Sequence, residues 1–244
     1  MTALVRAELL RLRTTRSTWL VLAAGLVLTL GWVALVLGNV GDIGADAVGS
    51  TRLRADLLGA TGIGFYAVLL LGVVAVTGEF HHRTVTSTLL VTPRRRRMLA
   101  AKAAACALTG VVVAFGYLAT VWTAGVLAGA VRPAMDAALL VLIGRTLLVA
   151  ACWALLGVAI GAAVRNQTVA VLVPLVWFLV IETLIPAYGL RALVAWLPGG
   201  ATMALSGGRA AGLLPAWAAL LVLLAYVLAL LLPGARAIAR GDIT

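Results

Sequence analysis

Charge is scarce in this chain. Of 244 residues, 11% are charged and 64% are hydrophobic, and the mean hydropathy is +1.13. A soluble domain carries about a quarter charged residues and about half apolar ones. A soluble fold of this length has too little interior for so much apolar surface, which excludes a cytosolic enzyme and a disordered chain. Cysteine is nearly absent. Cys106 and Cys152 both lie inside apolar runs, so no disulfide framework of a secreted scaffold is present. Lysine occurs once, at Lys102, and Ala101 stands before it where a P-loop needs glycine. The chain therefore has no Walker A site for ATP. The two histidines, His81 and His82, are adjacent, with Glu79 as their one nearby carboxylate. A zinc site on a helix wants ligands four residues apart, so we assign no metal. No G-x-S-x-G elbow occurs. We expect no cofactor and no catalytic residue, and an enzyme is the weaker class.

What is present is a set of long apolar runs. A membrane helix needs about 20 mostly apolar residues to cross about 30 Å of hydrocarbon. Six stretches qualify, at 17–38, 57–77, 103–128, 137–163, 168–187 and 213–232. They do not alternate as the strands of a membrane barrel do, so they are expected to be helices. The expected fold is all-α, a polytopic membrane protein with six spans in a single transmembrane domain over 1–244. The third and fourth runs are long enough to tilt or to extend past the lipid.

The net charge of +11 follows this topology. The terminal segments and even-numbered loops hold 13 basic residues against Glu8, Glu79 and Asp242. The other side holds Arg52, Arg54, Arg132, Arg191 and Arg209 against Asp42, Asp46, Asp56 and Asp136. The positive-inside rule then places both termini in the cytoplasm. The basic excess records topology and contact with anionic headgroups, and no nucleic-acid site is implied. Asn166-Gln167-Thr168 matches a glycosylation acceptor but falls in a loop assigned to the cytoplasm. The first apolar run is too long for a signal peptide and reads as an uncleaved span. Before it, residues 1–16 mix Ala3, Leu4, Ala7, Leu10 and Leu12 with Arg6, Glu8, Arg11 and Arg13. That mix suits a short amphipathic helix at the membrane interface, and it also suits a basic flank that fixes topology.

The segment 78–102 joins the second and third spans. Pro93 ends any helix before it, and Glu79 suits a helix start. Phe80, Val85, Leu89 and Leu90 supply a partial apolar face. One reading is a short helix across the cytoplasmic ends of two spans, offering Phe80, Thr84, Thr88 and Leu89 to a soluble partner. The other is a solvated basic turn. The order Glu79, Arg83-Thr84, Leu89-Leu90, Pro93, Arg94 and Lys102 resembles the loop after the second span in permease subunits of type-2 ABC exporters, with Arg83 where glycine often stands. The amphipathic start, six spans and an outer segment before the sixth fit the same layout.

That resemblance implies a homo- or heterodimer of permeases working with two copies of a separate ABC ATPase. Glu79, Phe80, Arg83, Thr84, Thr88 and Leu89 would belong to a coupling helix docked on the ATPase. ATP hydrolysis would lie on that partner. The expected cargo, moved outward, is amphipathic or lipid-like. The rival classes are a non-transporting membrane scaffold or assembly protein, and a secondary transporter, which would usually show an internal repeat.

Arg145 and Glu182 are the clear charges inside spans, at the outer ends of the fourth and fifth. Their depths differ by roughly 5 Å, so a structural ion pair is expected, with a polar pathway lining as the alternative. Between Tyr188 and Gly212 the chain is too short and interrupted to span, and it reads as a re-entrant or surface segment, with Trp196 and Tyr188 at headgroup depth. Pro174 is expected to kink the fifth span. The Gly125/Gly129 and Gly157/Gly161 pairs permit close helix contacts. Eighteen arginines beside one lysine, with much Ala and Gly, suggest a high-GC bacterial gene and a bacterial plasma membrane.

Overall fold

A computed structural model describes residues 1–38, 51–81, 95–131, 136–164, 166–208 and 212–240. No strand occurs among them. The helices are α1 (Thr2–Thr14), α2 (Arg16–Gly38), α3 (Thr51–Gly59), α4 (Thr61–His81), α5 (Arg95–Leu127) and α6 (Ala137–Val164). There follow α7 (Gln167–Val176), a π-helical stretch at Trp177–Ile181, α8 (Glu182–Ala187), α9 (Arg191–Val194), α10 (Pro198–Leu205) and α11 (Ala216–Arg240). Six helical stretches are long and apolar enough to cross a membrane: Arg16–Gly38, Asp56–Gly78, Arg97–Leu127, Ala137–Val164, Gln167–Ala187 and Ala216–Gly234. The protein is a multi-pass membrane protein. Because the spans are even in number, α1 and the end of α11 share one end of the bundle, called here the terminal end.

Local chemistry sets several boundaries. Asp136 begins α6, its Oδ1 accepting the Leu139 N–H at 2.7 Å. Its Oδ2 accepts from Arg54 at 3.0 Å, which ties α3 to the start of α6. Asn166 caps α7 by accepting the Val169 N–H at 3.2 Å. Such caps satisfy donors that a helix start leaves open. The sixth span begins at Ala216 and not at 213, because Pro215 holds the residues before it out of the helix. The third begins at Arg97, before the apolar run. At 33 residues α5 is about 50 Å long, so its basic first turns extend beyond the hydrocarbon.

Packing follows side-chain size. The second and fourth spans are 67% and 61% buried, whereas the first, fifth and sixth are only 22%, 17% and 17% buried. The centre of the bundle is therefore the α4–α6 pair, with α2, α5, α7 and α11 around it. Glycine permits the central crossing. A Cβ on Gly157 would overlap the Leu69 carbonyl, and one on Gly72 would overlap that of Ala154. One on Gly161 would lie 3.0 Å from the Val73 oxygen. The Gly157/Gly161 pair thus works as close-contact chemistry. Gly125 packs near Leu57 and Val131, while Gly129 has open space around it and turns the chain after α5 with φ 69°. Tyr117 of α5 fills the space that Gly25 and Gly64 leave, and its hydroxyl donates to the Leu22 carbonyl at 2.5 Å.

Candidate functional site

Two polar constellations stand out against the apolar bundle, one at each end. The first lies at the terminal end. Helix α1 is separate from α2, broken at Thr15 with φ −80° and ψ 120°. Its Leu12 is buried, and Val5 and Leu9 pack with Leu99, Ala103 and Cys106 of α5. The Trp19 indole donates back to the Arg13 carbonyl at 2.8 Å and steadies the corner. Within this seam, Lys102 Nζ lies 2.8 Å from Glu8 Oε2. The lysine is only 2% exposed and the glutamate 14%. Arg11 approaches the same oxygen at 3.9 Å. The lone lysine of the chain therefore anchors the N-terminal helix to the base of the third span.

That base is where segment 78–102 begins and ends. Glu79 and Phe80 lie in the last turn of α4, which runs on to His81. Arg83, Thr84, Thr88 and Leu89 lie outside the described residues. α5 begins at Arg95, and seven residues later Lys102 meets Glu8.

The second constellation lies at the opposite end, around Glu182. Pro174 removes one backbone donor from the fifth span and crowds the preceding turn. Just beyond it the helix widens to a π-turn at Trp177–Ile181, where the Glu182 N–H donates to the Trp177 carbonyl. Next to the proline expected to kink the span, the helix thus shows a local change of period. Residues five apart point well away from each other on an α-helix of 3.6 residues per turn. The π-turn brings Trp177 and Glu182 to one face, and the indole N–H donates to Glu182 Oε1 at 3.3 Å.

Glu182 Oε2 accepts the Gly199 N–H at 2.9 Å. Gly199 is the second residue of α10, which has no side-chain cap of its own. The carboxylate therefore caps α10 from another helix, at the end where the helix dipole favours negative charge. Glycine leaves room for this approach: a Cβ on residue 199 would overlap Oε2 and displace the carboxylate. A second bond fixes α10 to the fourth span: the Trp153 indole donates to Thr202 Oγ1 at 2.8 Å, both residues being buried. Within the described stretch 188–208 of segment 188–212, α10 is thus tucked against the bundle. Pro198, Gly200, Ala201, Thr202 and Leu205 are buried, while Tyr188 and Trp196 are exposed. Gly207, with φ 83°, closes α10 and lets Gly208 N–H return to the Met203 carbonyl at 2.8 Å.

Arg145 and Glu182 do not meet. Ion pairs between described residues join Glu8 to Arg11 and Lys102, and Arg54 to Asp136. Glu182 takes neutral donors, and Arg145 is exposed on α6. Similar depth did not suffice, because the Glu182 carboxylate is taken by donors of its own helix and of α10 while Arg145 stays exposed. Beside Glu182 sits an aromatic cluster that sequence reasoning did not assemble. Tyr66 meets Trp153 edge-on at 5.2 Å between centroids, and Trp153 lies 4.7 Å from Phe178. A single carboxylate in an apolar run, five residues after a tryptophan, was the signal available in the sequence.

No protein-family model matches the sequence, and no curated protein matches it.

Proposed function

We propose that this chain is the permease subunit of a type-2 ABC exporter, sitting in a bacterial plasma membrane with both termini in the cytoplasm. It would pair with a second permease, identical or not, and with two copies of a separate ATPase that hydrolyses ATP. The cargo would be amphipathic or lipid-like and would move outward.

The observation that carries this reading is the grouping at the terminal end. The amphipathic α1, the end of α4 with Glu79, and the start of α5 with Lys102 converge there, and Glu8 and Lys102 bind α1 to α5. α4 ends at His81 and α5 begins at Arg95 at this same end of the bundle. A partner pushing on the loop between them would have a stiff path into the bundle, through the long α5 and through α4, whose other face packs on α6. The basic excess of this end supports its cytoplasmic placement. The tucked α10 at the other end supports a closed outer cap.

The test is a coupling assay in vesicles containing the chain and its co-expressed ATPase. Asp at Thr84, Thr88 and Leu89 together should abolish the permease's effect on ATP hydrolysis while leaving the spans folded. Full coupling with all three substitutions would remove the coupling role from this loop. A chain that stimulates no ATPase at all would favour a scaffold or a secondary transporter.

A further inference from the structure

Glu182 sits within a membrane span, and its carboxylate meets a backbone amide and an indole N–H. Neither donor carries a charge. An ionised carboxylate in a low-dielectric setting is costly unless a cation balances it. Arg145 is exposed on α6, and the ion pairs among the described residues leave Glu182 out. Two hydrogen bonds also leave part of the carboxylate's acceptor capacity unused.

The surroundings are aromatic and partly open. Tyr66 and Glu182 are each half-buried, and Trp177 is 41% exposed. Tyr66 comes from α4 and Trp177 from the π-turn of the fifth span. Behind them Trp153 and Phe178 are buried and hold Tyr66 in place, Phe178 lying 5.9 Å from it. Aromatic faces attract cations that have already left water, and the attraction grows as the site becomes drier. A strongly hydrated inorganic cation would lose its shell here with few oxygens to replace it. A large organic cation with apolar substituents would lose little, and would gain both the ring faces and the carboxylate.

We propose that Glu182, Trp177 and Tyr66 form a binding site for a lipophilic organic cation, reached from within the membrane. Binding stands on the geometry alone. That such a cation is cargo rests on the exporter reading. On that reading the site deepens the substrate class from amphipathic to cationic and amphipathic. It also explains how cargo could reach the cap, because Glu182 is the group that holds Gly199 at the start of α10. A cation drawing on the carboxylate would compete with that hold.

The test needs no ATPase, so it can fail while the exporter reading survives, and the reverse also holds. The full chain, purified in phosphatidylcholine nanodiscs, is titrated with tetraphenylphosphonium and, separately, with tetraphenylborate, an ion of the same shape and opposite charge. Binding is read by equilibrium dialysis and by Trp fluorescence. Saturable binding of the phosphonium is expected, at one site per chain, with none of the borate. Glu182→Gln keeps an acceptor for the Gly199 N–H and should weaken phosphonium binding at least about tenfold. Tyr66→Leu leaves the carboxylate and the cap in place and should weaken it by about fivefold. Equal binding of the two ions, or phosphonium binding unchanged in both variants, would overturn the site. Should Glu182→Gln fail to fold, Tyr66→Leu decides alone, and unchanged binding in it overturns the proposal.

Discussion

Replacing Gly157 by alanine adds one methyl group where α6 crosses α4. A Cβ there falls on the Leu69 carbonyl oxygen and lies 2.9 Å from its carbon and 3.1 Å from the Val73 nitrogen. These are backbone atoms in the middle of a helix, so no side chain can swing aside. The helices must part by about 1 Å, and a gap of that size forfeits a quarter to a half of the contact energy across it. Overpacking of this kind costs about 3 kcal/mol at the upper end of its range. Alanine's better helix propensity offsets about 1 kcal/mol of that, which leaves a net loss of about 2 kcal/mol, or about 30-fold in the folded ratio. Gly144 on the same helix is the control, because nothing lies within 4 Å of a Cβ there. Gly144→Ala should therefore be neutral or stabilising by up to about 1 kcal/mol. The assay is reversible unfolding in mixed micelles, followed by Trp fluorescence, for both variants in parallel. Gly157→Ala matching Gly144→Ala in stability would refute the close crossing of α4 and α6.

Three further predictions follow from other contacts. Glu8→Gln and Lys102→Met should each loosen α1, as measured by proteolysis or hydrogen exchange over residues 2–14, and the double variant should show a coupling energy of about 2 kcal/mol; strict additivity would mean that the 2.8 Å contact does no more than sit at the interface. Thr202→Val should cost about 1–3 kcal/mol by stranding the Trp153 N–H, while adding Trp153→Phe should recover part of that loss; a double variant as damaged as the sum of the two singles would contradict the bond. A cysteine at Thr2 should react with an impermeant maleimide only in inverted vesicles, and one at Tyr188 only in right-side-out cells, with Cys106 and Cys152 silent because both are buried; labelling of both sites from one face would break the assigned topology.

The spans were legible because the physics that makes them is local. A run of 20 apolar residues needs lipid whatever its neighbours are, and five of the six stretches begin within one residue of their expected starts or, at the sixth, within three. The start of α5 was not, because Arg95 to Lys102 are helical through propensity and docking, which hydropathy does not register. Contacts between distant residues were less legible. The sequence presented an amphipathic N-terminus and a lone lysine, yet only the fold brings residues 94 positions apart to 2.8 Å. Glu182 was correctly singled out as an intramembrane charge, but its partner is a backbone amide. An amide carries no sequence signal except that the residue bearing it, Gly199, must lack a side chain. Pro174 announced a distortion, and its form as a π-turn decided where Trp177 and Phe178 point.

The most direct measurement is purification of the chain from its native membranes in mild detergent, with mass spectrometry of everything that remains bound. The account predicts a P-loop ATPase at one copy per permease chain, lost when Thr84, Thr88 and Leu89 are changed to Asp. A stable, folded preparation free of any ATPase across several detergents would contradict it, and the loop between the second and third spans would then be a topological signal alone.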